Sequence, residues 1–172
     1  HSPLDLPGFN PSKPVYLSID WGGTNPFSVG VWQKFPIGWV RVDEVYIGNT
    51  TNKRIIKECK ARPWWRKVKE GVADPARSDL RREWDDEGVS LYKGDTDVDE
   101  GIEAVRDALA PILGNPLFYI NRKCKAWIRE VGQYSEKRGV PIKENDHGMD
   151  ETKYFVRRYI KKRREPGVRR VA

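Results

Sequence analysis

Asp20, Asp74 and Asp150 stand where carboxylates can do chemistry. Asp20 closes the run Val15-Tyr16-Leu17-Ser18-Ile19 and is followed by Trp21-Gly22-Gly23-Thr24-Asn25; an apolar, β-branched run stopped by two glycines predicts a buried strand ending in its carboxylate. Asp74 ends a second short apolar segment, Gly71-Val72-Ala73, with Pro75 and a helical stretch after it, so a strand hands over to a helix there. Asp150 closes Asn145-Asp146-His147-Gly148-Met149-Asp150, ahead of a helical run from Glu151 to Arg164. A helix starting near His147 sets Asp146 and Asp150, and His147 and Asp150, at adjoining positions of one face, which Tyr154 extends. Strand ends are where active sites collect in open α/β sheets. If the first two strands are parallel neighbours, their ends lie about 5 Å apart. Two like charges at about 4 Å repel by roughly 4 kcal/mol at an effective dielectric of about 20. Such a cluster needs cations or protons, and hard oxygen donors with few histidines favour Mg²⁺ or Mn²⁺ over zinc. Two such ions some 4 Å apart activate a water and stabilise the leaving oxygen of a phosphodiester, with no nucleophilic side chain required. Taken singly, each residue also has a plain structural role: Asp20 capping the glycine loop, Asp74 in an Asx turn, Asp146 as a helix N-cap, His147 in packing.

The elements that must position these groups follow from periodicity. Phe27 to Gln33 resumes the apolar pattern after Trp21 to Pro26, which makes a hairpin, and Gly38 to Ile47 alternates as a third antiparallel strand. Thr51 to Ala61 has helical spacing, with Thr50, Thr51 or Asn52 as cap and Pro63 as stop. A helix over Ala76 to Asp86, a loop over Gly88 to Asp97 and an amphipathic helix over Val98 to Ile112 come next. Leu117 to Ile120 is a short buried strand, and Lys123 to Val131 a helix packed on it. The fold class is therefore α/β: a mixed central sheet, built from a three-strand antiparallel meander plus parallel strands, flanked by helices. Residues 1–14, with Pro3, Pro7, Pro11 and Pro14, suit a linker or strap, and residues 15–172 make a single domain.

The chain has 172 residues, 32 basic against 25 acidic, a net charge of +7 and a pI near 9.4, a balance that favours a polyanionic partner. Arg157, Arg158, Lys161, Lys162, Arg163, Arg164, Arg169 and Arg170 crowd the C-terminal end, which either meets phosphates or forms a solvated tail. Trp64 and Trp65, between Arg62, Arg66 and Lys67, either pack in the core or present rings to nucleic acid. Cys59 and Cys124, with His1 and His147, cannot assemble a zinc quartet from nearby positions and suit a reducing compartment. No apolar run approaches the roughly 20 residues a bilayer span needs, so a soluble, intracellular protein with no membrane partner is expected. His1-Ser2 supplies no initiator methionine, as in a domain excised from a larger protein.

Leu17-Ser18-Ile19-Asp20-Trp21-Gly22, Ala73-Asp74-Pro75-Ala76, Lys123-Cys124-Lys125-Ala126-Trp127-Ile128-Arg129-Glu130 and Asn145-Asp146-His147-Gly148-Met149-Asp150 together resemble the C-terminal nuclease domain of the large terminase subunit of tailed bacteriophages. The last segment is the most specific, because that family carries Asp-His-x-x-Asp before a helix bearing an aromatic residue. The resemblance implies an RNase H-like fold and a metal-dependent endonuclease that cuts double-stranded, concatemeric viral DNA during genome packaging in the cytoplasm of the infected bacterial host. It carries over Asp20, Asp74 and Asp150 as catalytic residues and ligands of two Mg²⁺ or Mn²⁺ ions. Asp146 becomes a further ligand and His147 a catalytic assistant. It also implies an upstream ATPase domain, whose phosphate-binding loop this sequence lacks, and the small terminase and portal as partners. A rival resemblance comes from Asp20-Trp21-Gly22-Gly23-Thr24-Asn25 and Val29-Gly30-Val31, which look like the first phosphate segment of hexokinase-type sugar kinases. Those kinases need a second lobe and a second glycine-rich segment, and neither is evident. A basic nucleic-acid-binding module without catalysis is the third alternative.

Overall fold

Val15, Leu17 and Ile19 of the first strand and Phe27, Val29 and Val31 of the second alternate along the chain and are buried on one side, and this alternation builds the sheet. The computed structural model describes residues 6–95, 105, 107–108, 116–136 and 147–161. Strands β1 (Val15–Asp20), β2 (Phe27–Phe35) and β3 (Gly38–Ile47) form the antiparallel meander. Strand β4 (Val68–Ala73) pairs in parallel with β1, β5 (Leu91–Lys93) in parallel with β4, and β6 (Phe118–Ile120) in parallel with β3. The order is β5-β4-β1-β2-β3-β6. The mixed sheet is as expected, with one correction: the segment read as a loop from Gly88 to Asp97 contains β5. Three residues, two of them exposed, are too short a run to show period-two alternation, so only pairing with β4 reveals the strand.

Helix α1 (Asn52–Lys60) starts at Thr51, whose Oγ1 accepts from the Arg54 N–H, and α2 is Ser78–Asp86. With α1, Trp64 and Trp84 they cover one face of the sheet, where Val15, Leu17, Ile19, Val29, Val31, Val40, Val42 and Val45 meet Ile55, Ile56 and Cys59. Trp64 is a core residue whose indole donates to Asp43 Oδ2 at 2.8 Å. Cys59 and Cys124 are free and buried, and burial pushes both thiols up to about 12. Helix α3 (Lys125–Glu136) and helix α4 (His147–Phe155), which runs on into a π-helical stretch, Val156–Lys161, lie on the other face. Residues 105, 107 and 108 are helical; the remainder of the helix expected over Val98 to Ile112 lies outside the described residues, as does Lys162 to Arg170. Asn10 and Lys13 are fastened to Gln33, which donates to both of their carbonyls, and Asn121 donates to the Pro7 carbonyl. Among the described residues no helix is long and apolar enough to cross a membrane.

Candidate active site

Asp20 is the last residue of β1, on the face that α4 covers, and it is 7% exposed. Ile19 pairs with Ala73 in the parallel β1–β4 ladder, and the Asp74 N–H donates to the Ile19 carbonyl at 3.1 Å, so the two strand ends stand side by side. The loop after β4 is clamped: the Trp21 indole donates to the carbonyls of Asp74 and Ala76, and Arg81 reaches the carbonyls of Asp74, Pro75 and Ala76. Asp74 Oδ1 accepts from the Ala76 N–H at 2.8 Å, so Asp74 does make the Asx turn. On the other side of the glycine loop, a Cβ at Gly22 would lie 2.5 Å from the Asn25 carbonyl oxygen and the Phe27 nitrogen, and the Gly23 N–H donates inside the loop to Asn25. Gly22 and Gly23 thus serve a tight turn into β2.

The start of α4 brings the remaining groups. His147 Nδ1 lies 3.0 Å from Asp20 Oδ2, so the histidine stands at the carboxylate rather than in the apolar core. Asp150 Oδ1 is 2.6 Å from Lys153 Nζ, one turn along the same helix. Asp146 lies outside the described residues. Burial pushes the Asp20 carboxyl up to about 6, with the hydrogen bond from His147 opposing it and the charges of Asp150 and Asp74 adding to it. Both other aspartates are therefore close enough for Asp20 to feel their charge.

Several residues that sequence patterning did not single out hold this arrangement. Glu151, fully buried beside Asp150, points into the sheet, where Arg41 Nη1 is 2.6 Å from its Oε1 and the hydroxyls of Ser18 and Ser28 donate to it. Burial raises the Glu151 carboxyl, and Arg41 with the two serines pulls it back. Gly30 leaves the room for this pair: a Cβ there would collide with Arg41 Nη1 and lie 2.7 Å from Glu151 Oε2. Glu130 of α3 accepts from the Gly148 N–H at 2.7 Å and from the Tyr46 hydroxyl at 2.5 Å, satisfying a free donor of the first α4 turn. Lys153 completes the set. The available signals were Ser18, Ser28 and Gly30, small or polar residues at buried strand positions that imply a polar group packed over them.

Three carboxylates and one imidazole are donor types that suit Mg²⁺ or Mn²⁺, and a cation would offset the burial that raises the Asp20 carboxyl together with the smaller effect of the Asp150 and Asp74 charges. As placed, no three His, Cys, Asp or Glu side chains among the described residues close on one point. Asp20 is turned to His147, Asp150 to Lys153 and Asp74 to its own loop. By donor type and charge, the residues fit a divalent metal.

No family model matches the sequence, and no curated protein does. Solved structures do match. The large terminase of a thermophilic bacteriophage, in complex with ADP, superposes with a TM-score of 0.72 and 26% identity over 90% of this chain and 41% of that one. The P22 large terminase nuclease domain gives 0.69 and 16% identity over 94% and 92%. The SPP1 large terminase nuclease domain with bound Mn gives 0.59 and 17% over 82% and 84%. The chain spans about two fifths of the length of the ADP-bound terminase. Its fold is the RNase H-like fold of phage large-terminase nuclease domains.

Proposed function

We propose that this chain is the nuclease part of a phage large terminase, an endonuclease that uses divalent metal to cut double-stranded viral DNA concatemers during packaging. The observation that carries this reading is Asp20, buried at the end of β1 with Asp74 and Asp150 near enough to help raise its carboxyl to about 6, on a fold shared with terminase nuclease domains. Asp20, Asp74 and Asp150 would hold two Mg²⁺ or Mn²⁺ ions, with Asp146 as a further ligand; the Mn in the SPP1 nuclease domain supports the metal class. Bound there, the ions supply an activated water and neutralise the charge of the leaving oxygen.

The chain's own residues do the rest. The hydrogen bond between His147 Nδ1 and Asp20 Oδ2 orients the Asp20 carboxylate. Lys153, 11% exposed on its side chain, places a cation beside Asp150 where a backbone phosphate would lie against it. Affinity built on phosphate contacts falls with salt and reads little sequence. The likeness to a longer, ADP-bound terminase supports a further nucleotide-binding part in the whole protein; an ATPase domain upstream, the small terminase and portal as partners, and the cytoplasm of the infected bacterial host belong to the same proposal. The sugar-kinase alternative loses its main support because Gly22 and Gly23 serve a closed turn.

Incubation with supercoiled plasmid and Mn²⁺ tests the proposal. Nicking that requires the metal and falls by about three orders of magnitude in Asp20→Asn, near 4 kcal/mol of barrier, is expected. Full activity in a folded Asp20→Asn variant defeats the mechanism, and sugar-dependent ATP consumption would establish the kinase instead.

A further inference from the structure

A concave feature lies at the end of the sheet opposite Asp20. A cavity of about 500 Å³ opens where β1, β3 and β4 begin and β2 ends, and Tyr16 in its wall is four residues, about 13 Å of strand, from Asp20. Lys13, Lys34 and Lys69 stand around it, and none of the three makes an ion pair among the described residues. Its acid, Glu70, is engaged by the Tyr159 hydroxyl at 2.8 Å. The floor is aromatic: Tyr16, Trp39 and Tyr159 pack edge to face or tilted, with centroids 5.1 to 5.9 Å apart. Lys34 lies over Trp39 and Lys69 over Tyr16, so each ammonium is held beside a ring.

Arg158 connects this cavity to the catalytic side. The wider turn of the π-helical stretch sets Arg158 and Tyr159, consecutive residues, both at the cavity wall. The Arg158 guanidinium stacks 3.4 Å above Tyr92, and its buried Nε has no hydrogen-bond partner among the described residues. The same side chain lines a smaller groove of about 280 Å³ with Lys93, Gly94 and Tyr154, beyond the ends of β4 and β5. Cations above rings, in a hollow the size of one nucleotide, match the chemistry of single-stranded nucleic acid, whose phosphates seek ammonium groups while an unpaired base offers a face or edge to an aromatic floor. A duplex keeps its bases stacked inside and would offer the hollow phosphates alone.

We propose that this cavity is a second nucleic-acid site, taking a nucleotide of an unpaired strand with its phosphate among Lys13, Lys34 and Lys69 and its base against Tyr16, Trp39 and Tyr159. It is independent of the cleavage reading, because binding here needs no metal and touches none of Asp20, Asp74 or Asp150. The test is fluorescence anisotropy of a short labelled oligothymidine with the whole chain in EDTA. Wild type binds, and Lys34→Glu with Lys69→Glu together weaken binding roughly tenfold or more and flatten the salt slope by about 0.7 per lost phosphate contact. Thermal unfolding and Mn²⁺-dependent plasmid nicking stay unchanged in the same variant. Should the double variant unfold, Lys34→Gln carries the same expectation at smaller size. Equal binding by wild type and variant overturns the site. So does competition by polyphosphate or by a duplex as effective as that by oligothymidine, which would make the hollow a general polyanion patch.

Discussion

The two faces of the sheet are built on different principles. Under α1 and α2 the face is aliphatic, and Val15, Leu17, Ile19, Val29 and Val31 are all fully buried with no polar group among them. Under α3 and α4, the same strands present Ser18, Asp20, Ser28, Gly30 and Arg41 to Glu151, His147 and a cluster of rings in which Trp32 stacks on Phe155 at 4.1 Å. The first face draws its stability mainly from apolar area, with the buried indoles of Trp64 and Trp84 satisfied by Asp43 and Asn52. The second holds a helix whose adjacent carboxylates part ways: Glu151 pairs with Arg41 inside the sheet, and Asp150, partly exposed, pairs with Lys153 on its own helix. Placing a chemical helix over buried charges fixes its rotation and height more narrowly than apolar packing does, because an ion pair has one register and an aliphatic surface several.

The contrast can be broken in order of expected effect. Arg41→Met leaves Glu151 buried without its cation and should cost about 3–5 kcal/mol in urea unfolding, most of it recovered when Glu151→Leu is added. A loss under about 1 kcal/mol would mean that the pair is not the anchor of α4. Ile55→Ala on the aliphatic face should cost about 2–4 kcal/mol through lost contact and a cavity; at a temperature where it is folded, metal-dependent nicking should match wild type, and a specific activity loss there would join the two faces functionally.

Acidity gives the third test. Asp20 titrates near 6 in the folded chain against 3.8 as the ordinary value, so the folded state takes up its proton first. The stability this group contributes is fully present below about pH 3.8, is lost as pH rises through about 6, and amounts to at most about 3 kcal/mol. Unfolding curves in EDTA should show this component in wild type and lose it in Asp20→Asn, while added Mn²⁺ should stabilise wild type more at pH 8 than at pH 5. The smallest effect belongs to the α1 cap: Thr51→Ala removes the acceptor for the Arg54 N–H and should lower stability by about 1 kcal/mol with no change in nicking.

Much of the aliphatic face was legible, because alternation records burial strand by strand: β1 and β3 have the bounds their patterns predict, and α1 begins at a threonine chosen from three candidate caps. The candidate site was legible in its strand-end and helix-start residues, Asp20, Asp74, His147 and Asp150. Glu151 was indistinguishable from the solvated acids of a helix, and Lys153 from its solvated bases, since a charge carries no mark of the partner that will bury it. Short β5 was missed for the related reason that its strand character resides in the ladder with β4.

By itself, then, the sequence determined the mixed sheet, the ends of β1 and β4 that carry Asp20 and Asp74, and the helix that carries His147 and Asp150, because local periodicity and turn chemistry act within a few residues. Tertiary structure alone decided that His147 meets Asp20 across 127 residues, that Arg41 takes Glu151 inside the sheet, and that three distant lysines ring an aromatic hollow at the other end of the sheet. Those pairings depend on which elements stack on which face, and a free energy of that kind belongs to pairs of segments brought together by the whole fold rather than to any one of them.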